Sequence, residues 1–128
     1  MMMADDPSSE TVPVWPIELR LAQGGRVLNI TFEDGLTAAL SAELLRVMSP
    51  SAEVQGHAPD QKKTVARKKN VAIIGVEPVG NYAVRLRFDD MHDSGIYGWP
   101  LLHHVARDGE ALFASYCAEL EAKGLSRT

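Results

Sequence analysis

From Pro16 to Phe32 the chain alternates apolar and polar positions with a period of two. Ile17, Leu19 and Leu21 fall on one side and Glu18 and Arg20 on the other, the pattern of a half-buried strand. Gln23-Gly24-Gly25 breaks the alternation and Val27-Leu28-Asn29-Ile30-Thr31-Phe32 resumes it, which is a hairpin signature. Asp34-Gly35 predicts the turn that ends the second strand. Ser41 is placed to cap a short helix with Leu44 and Leu45 on its apolar side, and Pro50, which has no N–H to give, predicts its end. Residues 51–70 are polar and irregular, with Gly56 and Pro59. A loop of that length in a small domain points toward function.

Periodicity returns at Val71. Val71, Ile73 and Val76 read as a strand disturbed at Gly75, and Gly80-Asn81 reads as a hairpin turn. Val84, Leu86 and Phe88 then face a core, with Arg85 and Arg87 in water. Past an acidic loop at 89–93, WPLLHHVA predicts a helix with Pro100 in its first turn. DGEALFASYCAELEAKG predicts another, with Leu112, Tyr116 and Leu120 at fourfold spacing and Gly124 as its stop. The expected fold is α+β: two β-hairpins forming a largely antiparallel sheet packed with short helices. The expected organisation is a flexible tail at 1–13, one domain at 14–123 and a C-terminal tail at 124–128.

Composition narrows the class. The chain has 128 residues, 45% of them hydrophobic, enough for one domain with its own core. Thirteen basic and 17 acidic residues give a net charge of -4, which disfavours a nucleic-acid partner. Lys62, Lys63, Arg67, Lys68 and Lys69 are the one basic run, with no aromatic residue interleaved for base stacking. A solvated loop is its simpler reading. Cys117 is the single cysteine, so no internal disulfide forms, and a reducing compartment is expected. The N-terminal residues lack the apolar segment of a signal peptide, and no apolar run approaches membrane-spanning length. These features predict a cytoplasmic protein without a membrane role.

Two stretches hold candidate chemistry. Asp89, Asp90, His92 and Asp93 bring carboxylates and an imidazole together, donors suited to metal ions. None of them has the spacing of a helix-borne metal pair, and the competing reading is turn capping by Asp90 and Asp93. In SPSAEVQGH, Glu53 and His57 stand four apart and Ser49 and Ser51 offer hydroxyls. Ser49 lacks the frame of a nucleophile elbow, which ranks a hydrolase-like enzyme last. Trp15, Tyr97 and Trp99 carry large apolar area, for the core or for a partner groove. Of His103 and His104, adjacent on one helix, one is expected to pack and the other to face water.

The segments EDG, ELLRVMSPSAEVQGH and VGNYAVRLRFDDMHDSGIYGW together resemble the domain of unknown function 971, also described as the gamma-butyrobetaine hydroxylase-like N-terminal domain. The resemblance runs over about residues 14–107. One departure is Met91, where the family usually has glycine. The family's domain occurs ahead of iron- and 2-oxoglutarate-dependent hydroxylases, on iron–sulfur carrier ATPases, and alone in bacteria. In the hydroxylases it holds zinc through three cysteines and a histidine. Here the cysteine positions correspond to Ser49, Ser51 and Val54, and only His92 keeps its type. Structural zinc needs four strong ligands, so the resemblance implies that the family's zinc site is lost and no cofactor is expected.

Three functions follow as expectations. The first is a small non-enzymatic adaptor or protein-binding domain, linked through the fused relatives to iron–sulfur or redox metabolism. The second is a metal-binding protein using His92, His57 and Glu53 with nearby carboxylates. The third is the hydrolase-like enzyme. Exposed apolar area near Tyr97 and Trp99 favours the first, and convergence of Glu53, His57 and His92 favours the second.

Overall fold

In the computed structural model, which describes residues 14–49, 65–90 and 95–128, the first alternating stretch becomes strands β1 (Pro16–Ala22) and β2 (Val27–Phe32), joined by a single 3-10 turn at Gln23–Gly25. A third strand, β3 (Thr37–Ser41), pairs with β2, giving an antiparallel sheet ordered β1-β2-β3. Helix α1 (Ala42–Val47) follows directly. The Ser41 hydroxyl accepts from the Leu44 N–H at 3.0 Å, the expected cap. The second half repeats the design with β4 (Ile73–Val79), β5 (Ala83–Phe88) and β6 (Gly95–Gly98), again antiparallel and in order. Helix α2 (Trp99–Ala122) closes the fold.

The α+β class holds, with three refinements. The hairpins form two sheets, each completed by a strand whose sequence, TAALS or GIYG, carries little β signal of its own. The two helices expected after residue 98 are one helix of 24 residues. It bends at Asp108 (φ -112°, ψ 18°) and continues. Beside the bend, a Cβ on Gly109 would lie in ordinary contact with Leu40 and Leu44. The helix ends where expected, with Gly124 at φ +67° and the Gly124 and Leu125 N–H groups bonded to Glu121 and Leu120 carbonyls. The third refinement is in β1. A register shift between Pro16 and Glu18 breaks the in–out alternation there. Ile17 and Leu21 are exposed, and only Leu19 packs against the core.

The core lies where both sheets meet the helices. β2 gives Leu28, Ile30 and Phe32, β5 gives Leu86 and Phe88, and α2 gives Leu102 and Val105. Gly25 sets the approach of the sheets. At φ +89°, it leaves no room for a side chain, since a Cβ there would stand 2.2 Å from the Ile73 carbonyl oxygen. The register shift expected at Gly75 is present. Residues 124–128, expected as a tail, are tied in: the Arg67 and Lys69 N–H groups donate to the Ser126 and Arg127 carbonyls, each at 2.9 Å. Arg127 also clasps buried Glu43 through two bonds of 2.9 and 2.8 Å.

Candidate functional site

α1 is too short to bury itself, so its far side carries a charge inward. Arg46 is 2% exposed, and its Nε donates to Asp90 at 2.9 Å. Lys68 reaches the same carboxylate oxygen at 2.6 Å. Tyr97, from β6, sits alongside with no exposed surface and donates its hydroxyl to the Leu45 carbonyl. Burial pushes the Tyr97 pKa well above the ordinary tyrosine range, against a hydrogen bond with the Ser49 side chain and the charge of Arg46. Tyr97 is thus a neutral hydroxyl at physiological pH and is no base. Ser49 is completely buried. The junction joins the end of α1, the end of β5 and the 65–71 segment.

A second feature lies at the other end of β6. Trp99 opens α2 nearly buried, and its indole N–H donates to the Asn81 carbonyl at 3.0 Å. Its backbone N–H donates to the Tyr82 carbonyl. Trp15 leans on it, with ring centroids 6.4 Å apart and planes at 49°. Trp15 is 40% exposed and Tyr82 59%. The hairpin turn that throws Tyr82 outward is set by Gly80 at φ +53°. Of the three large aromatic residues expected in the core or in a partner groove, Tyr97 and Trp99 are buried and Trp15 is exposed. It precedes an edge strand, where only one side can be covered.

Of the residues singled out in the sequence, Ser49, Asp90 and Tyr97 come together in the junction, and Trp99 stands at the aromatic edge. Ser51, Glu53, His57, His92 and Asp93 lie outside the described residues, and so does any convergence of Glu53, His57 and His92. Ser49 and Asp90, which flank those segments, share one buried cluster. The donor set does not fit the family's zinc. At its one described ligand position a buried hydroxyl already bonds Tyr97, and a serine hydroxyl is a poor zinc ligand. Among the described residues, no group of three or more metal-ligating side chains converges. His103 packs edge-on against Phe32 and meets Asp34 at 2.8 Å, while His104 is exposed beside Asp108. Arg46 and Tyr82 carry no distinct sequence signal, and Lys68 only that of a solvated basic run: Arg46 meets a partner 44 positions away, and only the helical run of apolar neighbours hinted at its burial.

Two antiparallel meanders closed by a bent helix, with a sealed polar junction and an open aromatic edge, define a small α+β domain rather than a barrel or a nucleotide-binding fold. The chain belongs to the gamma-butyrobetaine hydroxylase-like, N-terminal family, whose profile matches residues 19–103. Two proteins solved in solution by NMR share the fold. One has a TM-score of 0.78 at 42% identity, covering 91% of each chain. The other has a TM-score of 0.76 at 46% identity, covering 91% of this chain and 86% of its own. A crystal structure from Acidithiobacillus ferrooxidans ATCC 23270, of a protein with unknown function in the DUF971 family, has a TM-score of 0.58 at 36% identity, covering 71% of this chain and 91% of its own. No curated protein matches the chain. No helix of the described residues is long and apolar enough to cross a membrane.

Proposed function

We propose that the protein is a non-enzymatic protein-binding domain, an adaptor whose contact surface is the aromatic edge. The observation that carries this reading is exposed Trp15 against nearly buried Trp99, with exposed Tyr82 next to them, its backbone carbonyl accepting the Trp99 N–H. Large, rigid aromatic groups with one wet face are the side chains that dominate protein interfaces. A protein partner also suits the basic run better than a nucleic acid. Lys68 is committed to Asp90, and the Arg67 and Lys69 backbones are held by the C-terminal residues. The fused relatives direct the search for that partner to iron–sulfur and redox proteins.

The test is affinity capture from an extract of the source cells by the native chain and by a Trp15→Ala/Tyr82→Ala variant. The expected result is a discrete partner held by the native chain and lost from the variant, with both proteins melting alike. Equal capture by both would overturn the assignment of this surface.

A further inference from the structure

Among the described residues the fold has four edge strands, and three of them are protected against pairing with another strand. β1 carries Pro16, a register shift at Ile17 and the charges of Glu18 and Arg20. β4 carries a register shift before Gly75, the charge of Glu77 and Pro78. β6 is only four residues long. Bulges, proline, charge and shortness are the devices that keep natural edges from joining. β3, Thr37-Ala38-Ala39-Leu40-Ser41, has none of them.

The ladder fixes which of its backbone groups face outward. The Phe32 N–H donates to the Leu36 carbonyl, and the Ala42 N–H to the Arg26 carbonyl. Antiparallel pairs alternate between bonded and unbonded. With Ile30 opposite Ala38 and Leu28 opposite Leu40, those residues bond inward to β2, and the N–H and C=O groups of Thr37 and Ala39 and the N–H of Ser41 point away from the sheet, while the Ser41 carbonyl opens α1 as its N-cap. Among the described residues, none of these outward groups makes a turn, loop or cap bond.

We propose that β3 is a homodimer interface, pairing antiparallel with β3 of a second copy about a two-fold axis at Ala39. That register sets Ala39 against Ala39 and Thr37 against Ser41. The Ala39 pair exchanges two bonds and each Thr37–Ser41 pair one, because the Ser41 carbonyl serves α1, about four in all. The side chains along the axis are small and uncharged, so no like charges meet. The cleft beside this edge is walled by α2 with Ala106, Arg107, Asp108, Gly109 and Glu110, and Arg107 is paired with Asp108 within the chain. The joined sheet runs β1-β2-β3-β3-β2-β1 and leaves the β1 edges, each following a Trp15, at its outer ends.

Sedimentation equilibrium of the full chain up to millimolar concentration tests this. The native chain sediments at twice its chain mass, and Ala39→Lys weakens the association about tenfold or more while keeping the native circular dichroism and melt. In a Cys117→Ser background, Ala39→Cys cross-links to a covalent dimer under mild oxidation, since bonded antiparallel partners stand about 5.5 Å apart at Cα, within disulfide reach. Arg20→Cys, on the protected β1 edge, does not. A monomer at every concentration, as a peptide-binding edge would give, overturns the proposal. So does a dimer indifferent to Ala39→Lys, or one that fails to cross-link through Cys at position 39.

Discussion

Trp99 joins three parts of the molecule through one side chain. It starts α2, its ring is nearly buried under Trp15, and its indole N–H satisfies the Asn81 carbonyl in the β4–β5 turn. Trp99→Ala removes the ring and leaves that carbonyl without its donor. A loss of about 3–5 kcal/mol is expected in chemical denaturation; a loss under about 1 kcal/mol would show that the ring is not a structural anchor. Asp34 makes a smaller, pH-dependent contribution. Its pKa lies below the ordinary value, first because its carboxylate accepts the Leu36 N–H and then because His103 is bonded to it. The folded state therefore favours the charged form. The gain is complete above the ordinary pKa and is lost as pH falls through the lower folded one. Asp34→Asn should melt below the native chain at neutral pH, with the gap closing as the pH is lowered past about 4. A gap that stays constant would remove the ionised carboxylate from the explanation.

Glycines mark where the elements meet, and they make opposite predictions. Gly25→Ala forces a Cβ onto the Ile73 carbonyl at a left-handed φ, so the turn and the sheet contact both suffer. A loss of roughly 3 kcal/mol or more is expected. Gly109→Ala places a methyl in ordinary contact with Leu40 and Leu44 inside α2. Relieved of glycine's helix penalty, that variant should be more stable by about 0.5–1 kcal/mol. Urea titration of both tests the pair, and destabilisation at Gly109 would mean that the bend at Asp108 requires glycine beside it. The same elements show what the sequence revealed. Period-two alternation located β1, β2, β4 and β5, and the turn residues placed their ends; β2 and β5 bury the face the alternation marks, whereas β1 leaves Ile17 and Leu21 outside. β3 and β6 escaped because Ala, Ser and Gly fit many conformations, and both gain their place from a neighbouring strand. The break expected between two helices is a bend because α2 is held on the core by Leu102 and Val105 before it and Tyr116 and Leu120 after it.

At the scale of the whole molecule, the candidate site was legible only by its ends. The family resemblance implied that the Ser49 region and the acidic loop meet; of these, Ser49 and Asp90 are described, and they are linked through Tyr97 and Arg46. Arg46 lies on the helix that ends beside Ser49, while Lys68 and Tyr97 come from other parts of the chain, and no local spacing announces that these side chains meet. Protein groups also fasten the C-terminus. Glu43 is 4% exposed and depends on Arg127, whose guanidinium also lies 5.0 Å over the Phe113 ring. Arg127→Ala should cost about 2 kcal/mol or more, since it strands a buried carboxylate; an unchanged urea midpoint would contradict that. Hydrogen bonds and ion pairs tie both junctions among the described residues, and the serines and valine at the family's cysteine positions are the reason to expect no zinc beside the first. Metal analysis of chelator-free protein, paired with thermal melts in zinc and in chelator, tests this most directly. The fold described here predicts no stoichiometric zinc and the same melt in both. One zinc per chain, with a melting temperature that rises with zinc and falls with chelator, would contradict it.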